Sequence, residues 1–539
     1  MKLTERGVAD THAWKGYALP KFDRANMIAA TKKNPVWIHF GAGNIFRAFQ
    51  AMLAQELLEK NLTDTGIIVA EGFDFDIIDK AYRPYDNLSL LVTLKSDGSI
   101  TKTVAASVAE SYKCDPSFPD DWNALTEIFR SKSLALVTFT ITEKGYAVKD
   151  SDGNFLPAYC ADFEAGPDKA KMFLSRLCAL LYGRYLHADK HPVALVSTDN
   201  CSHNGEKLQA AIRSIAGEWQ KRGFVDEGFI DYISSPDSVS FPWSMIDKIT
   251  PRPDAGVQAQ LKADGFEDAE IIVTDKHTYT ASFVNAESPQ YLVIEDAFPN
   301  GRPPLEKAGV YFTTRDTVNK VERMKVCTCL NPLHTALAIY GCLLGYTLIA
   351  DEMKDAELNT LVHRIGYDEG LPVVTDPKII DPKKFIDEVV TVRIPNPFMP
   401  DTPQRIACDT SQKLSIRFGE TIKAYAADPA LGTQKLKYIP LVLAGWCRYL
   451  MALDDEGKKF ELSPDPLLGR VCPFVEKIEL GRTYTAEALD GFLHGLLSDA
   501  SLFGVDLYAA GLAPLVLEYF GELTAGKGAV RATLKKYIR

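Results

Sequence analysis

The stretch "KVCTCLNPLH" at residues 325–334 puts a lysine, an asparagine and a histidine at the head of an apolar run. Just upstream, Val318, Val321 and Lys325 recur at helical spacing, with Glu322 three residues before the lysine. Lys325 therefore falls on the inward stripe of a helix, where a cation is costly unless it has a task or a partner. Asp316 suits the N-cap of that helix. Asn331 and Pro332 suit the N-cap and first position of the next one, with His334 on its first turn. Two readings stay open. One is a snorkelling lysine, a capping asparagine and a core histidine. The other is a base that takes the proton of an alcohol, a role that needs the neutral amine and hence a dry setting.

Three other stretches could carry chemistry. "HFGAGNIFR" sets Gly41 and Gly43 between an apolar strand and a helical pattern, where a dinucleotide turn needs them. Phe46 stands where the usual fingerprint has its third glycine. A second strand, in "GIIVAEGFD", ends in Glu71, an acid placed to accept ribose hydroxyls and to repel a 2′-phosphate, which favours NAD over NADP. A plain strand-to-helix turn, or a methyltransferase, would share this motif. "STDNCSHNG" crowds Asp199, Asn200, Ser202, His203 and Asn204 after an apolar strand, either on the ligand side of a sheet or as an Asx-rich cap. "RIACDTSQKL" spaces Arg405, Asp409 and Lys413 four apart, a charge ladder if helical and ordinarily a solvated one.

Positioning such residues takes a sheet and a helical body. Near-continuous Val/Ile/Leu runs alternate with helical patterns in the first half and predict α/β architecture with a parallel, doubly wound sheet. Past a Pro/Gly-rich cluster the chain reads as mainly α-helical. The expected division is a Rossmann-type N-terminal domain at 1–315 and a mainly α-helical C-terminal domain at 316–539. The 539 residues suit two large domains, with 46% apolar and 24% charged residues. The net charge of −11 is spread along the chain and gives no basic footprint for nucleic acid. No secretory signal and no run of membrane-spanning length is expected. Ten scattered cysteines read as reduced core residues of a cytoplasmic protein, and none completes a zinc spacing.

Taken in order, "HFGAGNIFR", "TITEKGY", "DNCSHNG", "SMIDKITPR", "KVCTCLNPLH" and "RIACDTSQKL" resemble the polyol-specific long-chain dehydrogenases, the mannitol dehydrogenase family, over nearly the whole chain. The resemblance implies an NAD-dependent secondary-alcohol dehydrogenase without a metal, acting on a small sugar acid or polyol as a monomer or weak homo-oligomer. D-mannonate/D-fructuronate is the foremost substrate pair, with mannitol/fructose and altronate/tagaturonate as alternatives. A non-catalytic dinucleotide sensor is the alternative of another class. By motif, Lys325 would be the general base, Asn200 and Asn331 would hold the reacting oxygen, and His334 would bond the substrate. Glu322 would accompany the lysine in proton exchange. Asp247, Arg405 and Lys413 would surround the substrate chain, Arg405 gripping a carboxylate. Gly41, Gly43, Asn44, Ile45, Phe46, Arg47 and Glu71 would hold the cofactor. Lys325 and Asn331 are six apart, one more than the family pattern, and the extra residue is expected in a loop between two helices.

Overall fold

The computed structural model describes residues 1–538 and contains two compact units. The first comprises residues 1–94 and 99–319; the second comprises 95–98 and the chain from Lys320 on. The chain passes between them after Asn319, where the Pro/Gly cluster suggests residue 315.

Six strands build the main sheet of the first unit: β1 (Trp37–Phe40), β2 (Ile67–Glu71), β3 (Val108–Lys113), β4 (Leu136–Phe139), β5 (Val193–Ser197) and β6 (Val239–Ser240). All neighbours pair in parallel, in the order 3-2-1-4-5-6. That is the Rossmann order, and it reverses between β1 and β4. β1, β2 and β5 are buried along their entire length, as expected of a parallel sheet covered on both faces. Ile38, Phe40, Ile68, Val137 and Phe139 pack with the helices Pro119–Arg130, Phe173–His187 and Asn204–Lys221. Trp37, Val69, Leu136 and Val196 point the other way, into a cluster with Phe46, Phe49, Leu53 and Leu57. Truncating Phe40 to alanine would cost about 3–5 kcal/mol, the usual price of a lost core aromatic.

The link from β2 to β3 makes a hairpin, Ser89–Leu94 with Ile100–Ala105. A smaller hairpin, Ile271–Val273 with Tyr279–Ala281, follows later in the unit. The strand Ser244–Asp247 pairs antiparallel with Tyr291–Glu295.

The second unit is helical, and among the described residues it holds no named strand. Its architecture and that of the first unit match the expected fold class. The segment 315–344 corrects three expectations. Thr314, not Asp316, caps the helix Arg315–Met324, its hydroxyl accepting the Thr317 N–H at 3.3 Å. Asn331 is the first helical residue of Asn331–Leu344 rather than its cap. No loop separates the two helices. Lys325–Cys329 forms a π turn, closed by the Leu330 N–H on the Lys325 carbonyl at 3.1 Å. An i→i+5 turn stores one extra residue without ending the helix, so the added residue lies there. The whole of Arg315–Leu344 is also long and apolar enough to cross a membrane by length and composition, contrary to the expectation of no such run. Within the protein 78% of its apolar window is buried.

Candidate active site

The carboxyl ends of β1, β2, β4 and β5 come together in the first unit. Gly41 has φ +109°, and a Cβ there would meet the Thr140 carbonyl oxygen at 2.1 Å. Only glycine allows the turn after β1 to pass so close to the end of β4. Gly43 faces open space, with nothing within 4 Å of a Cβ position. The helical run then starts at Asn44. A turn this tight, open at its second glycine and leading into a helix N-terminus at the sheet's reversal point, fits a dinucleotide pyrophosphate.

Glu71 closes β2 with its carboxylate buried. Oε2 accepts the Ala42 N–H at 2.8 Å; Oε1 accepts those of Phe73 at 2.8 Å and Asp74 at 3.2 Å. Burial raises its pKa, partly offset by these three donors. The carboxylate therefore ties the glycine turn to the end of β2.

Phe46 and Arg47 were expected to face the cofactor; their side chains point into the core instead. The π turn Phe46–Gln50 is the cause, since it widens the first turn of the helix. The Phe46 ring stacks on His39 with centroids 4.5 Å apart, filling the space a third glycine would leave. Arg47 donates to the Ala281 carbonyl at 2.5 Å, to Thr280 Oγ1 at 3.0 Å and to Asn44 Oδ1 at 2.8 Å. Arg47 thus anchors the small hairpin 271–281, which a second bond, from Thr274 Oγ1 to Asp74 Oδ2 at 2.6 Å, fixes near the end of β2. Ile45 packs partly buried against the same core.

Beyond β4, Thr142 holds φ +65°, a conformation a β-branched residue adopts at a cost of about 1–3 kcal/mol. Asp199 keeps it there. Its carboxylate accepts the N–H groups of Ile141 and Thr142, both at 2.9 Å, and the Tyr146 hydroxyl at 2.5 Å. Asn204 braces the other side, donating to the carbonyls of Asp199 and Ser244, both at 3.0 Å. Asn200 lies between them, exposed on the same loop. Asp247 ends its strand buried, opposite Tyr291 in register. His203 stacks on Trp243.

The second unit gathers a different group. Lys325 is 4% exposed, at the start of the π turn, with Glu322 half-buried one turn earlier. His334, on the first turn of the next helix, has Nε2 3.6 Å from Asp401 Oδ2. Burial pushes its pKa down to about 3, helped by Arg417, Arg405 and Arg393, so the ring is neutral. Arg405 is largely exposed and pairs with Asp401, not Asp409. The expected ladder is absent because the helix Pro403–Ile406 stops after one turn and Asp409 turns the chain with φ +53°. Lys413 Nζ donates to the Cys408 carbonyl at 2.7 Å; burial lowers its pKa, and Arg417 lowers it further. Arg417 donates to the Thr335 hydroxyl, whose own proton goes to the Asn331 carbonyl at 2.8 Å. Arg417, Arg393 and Asp401 escaped the sequence reading, although Arg417 continues the four-residue stride of Arg405, Asp409 and Lys413. Among the described residues no group of three His, Cys, Asp or Glu side chains is arranged to hold a metal ion.

A Rossmann sheet with this glycine turn, followed along the chain by a helical unit carrying lysine, asparagine and histidine in close order, is the architecture of a dinucleotide-dependent dehydrogenase. The chain belongs to the mannitol dehydrogenase family: residues 36–307 match the mannitol dehydrogenase Rossmann domain and residues 317–508 the mannitol dehydrogenase C-terminal domain. Among its relatives, D-mannonate oxidoreductase of Thermotoga maritima is 52% identical, over 100% of this chain and 99% of that protein. The Pseudomonas fluorescens mannitol 2-dehydrogenase, solved as a ternary complex with NAD and D-mannitol, superposes with a TM-score of 0.69 at 26% identity, covering 99% of each chain. A substrate-free D-sorbitol dehydrogenase shares the fold, with a TM-score of 0.78 at 24% identity over 97% of this chain and 99% of that one.

Proposed function

We propose that the protein interconverts D-mannonate and D-fructuronate, using NAD. The observation that carries this reading is the full-length 52% identity to D-mannonate oxidoreductase. The cations gathered near His334 agree with it, since a sugar acid brings a carboxylate that a neutral polyol lacks.

The Gly41–Gly43 turn would hold NAD, which when bound would supply the acceptor for the hydride of the carbinol carbon. The chain's own residues manage the proton and the oxygen. Lys325 Nζ takes the hydroxyl proton during oxidation and returns it during reduction. Burial at 4% exposure keeps water from competing for it. Glu322, three residues before it, accompanies the proton exchange. In reduction, charge grows on the carbonyl oxygen, and the Asn331 amide is an uncharged donor suited to it. Asn200 has the same chemistry on the loop after β5. His334, being neutral, offers one donor and one acceptor nitrogen to substrate hydroxyls.

The test follows NADH oxidation with D-fructuronate, D-tagaturonate and D-fructose at equal concentration, with and without a chelator. Fructuronate is expected to exceed the other two by at least 100-fold in kcat/KM, and the chelator to have no effect. A preference for fructose or tagaturonate would replace the substrate, and NADH binding without turnover would make the protein a sensor.

A further inference from the structure

Within the cationic group of the second unit, Arg405 and Arg417 differ in one respect. The Arg405 charge is already met by the Asp401 carboxylate, and its side chain is 62% exposed. Arg417 has no such partner: its hydrogen bond goes to the neutral Thr335 hydroxyl, and among the described residues no carboxylate forms an ion pair with it. Burial accordingly pulls its pKa down to about 10 with no acid to restore it. A guanidinium removed from water and left without a counter-charge is costly unless an anion arrives to complete it.

Its position is set by the elements around it. Arg417 lies in the π turn Ser415–Gly419, between buried Leu414 and Phe418. Its bond to Thr335 places the fork against the first turn of Asn331–Leu344, next to His334 in sequence and three residues from Pro332 along that helix. The Nη1 edge is taken by Thr335, while Nη2 and Nε are not among the buried, unpartnered atoms and so remain accessible. That side of the guanidinium presents two parallel N–H groups, the geometry that matches a carboxylate bidentately.

Resting on the sugar-acid reading above, we infer that Arg417, rather than Arg405, is the residue that receives the substrate carboxylate and so separates sugar acids from neutral polyols. Arg405 then serves to hold Asp401 in place near His334. Lys413, whose Nζ is tied to the Cys408 carbonyl, adds positive charge on the approach without gripping the anion.

The experiment compares D-mannonate with D-mannonamide, the same chain without the charge, as competitors of the NAD-bound enzyme. Wild type is expected to favour mannonate by at least 50-fold. Arg417→Gln should reduce that preference to less than about threefold, with mannonamide binding unchanged, and Arg417→Lys should restore part of it. Arg405→Gln should keep the preference while weakening both ligands alike. Loss of the preference in Arg405→Gln together with its survival in Arg417→Gln would overturn the inference. Should wild type turn over no keto-uronate at all, the functional reading itself falls, and this inference with it. Thermal melts of both variants separate lost recognition from lost folding.

Discussion

At the scale of single residues, the proposed chemistry turns on Lys325. Lys325→Met should lower kcat by roughly two to four orders of magnitude, the contribution of a general base, while NADH binding by fluorescence titration stays near wild type. Turnover within tenfold of wild type would return the lysine to a packing role. Glu71 carries a different expectation from the one its sequence position suggests. Its carboxylate satisfies three backbone N–H groups, so Glu71→Gln should cost about 1–3 kcal/mol in urea denaturation, the penalty for a buried donor left unmet. An unchanged unfolding midpoint would contradict this. Lys325, Asn331 and His334 are candidates that sequence alone can offer, because their relation is local, within ten residues. Arg417 could not, because the hydroxyl that positions it belongs to Thr335, 82 residues away in sequence.

At the scale of elements, strands were legible and turns of helix were not. β1, β2, β4 and β5 are short apolar runs with a burial pattern that periodicity detects. The π turns at Phe46–Gln50 and Lys325–Cys329 use residues that an ordinary α-helix would accept equally well, so nothing in their composition marks them. Likewise, nothing local to residues 405–413 signals that Asp409 breaks the helix. The π turn after Lys325 has a testable property. One inserted residue is what separates it from an α-helix, so deleting Thr328 should restore a regular helix and leave Lys325 in its present orientation to Asn331. That variant should retain kcat within about tenfold, despite some loss of stability from the packing of Thr328 near Gly370. Deleting a second residue should rotate the lysine by roughly 100° about the axis and abolish turnover. Equal loss in the single and double deletions would show that the turn is not an insertion in register.

For the molecule as a whole, the Rossmann-type and helical fold types were legible in the sequence, because composition and periodicity change where the chain leaves the sheet. The sequence did not reveal the buried charges that set the response to pH. His39 and His334 both have pKa values pressed down to about 3 by burial, so the unfolded chain binds more protons than the native one between about pH 3 and 6.5. Stability supplied by their neutral forms is therefore lost as pH falls through that window. Glu352 acts in the opposite sense. Neither of its carboxylate oxygens has a hydrogen-bond partner, and one would lie 2.1 Å from a Cβ on Gly341. Burial, with Asp355 nearby, raises its pKa to about 9. The native chain keeps this proton while the unfolded chain has lost it, so stability declines as pH rises from about 4.5 to 9. Glu352→Gln should accordingly raise the melting temperature at pH 8 and make no difference at pH 4.5; a constant offset at both would refute the assignment. The sheet order also bears on how the chain is made. β1 pairs with β2 soon after synthesis, but its other edge waits for β4, with Trp37 opposite Leu136. At about 5–20 residues per second, the nascent polypeptide carries an open, apolar strand edge for roughly 5 to 20 s. Ribosome-bound chains halted before residue 130 should recruit chaperones, and chains halted after residue 290, with all six strands emerged, should release them.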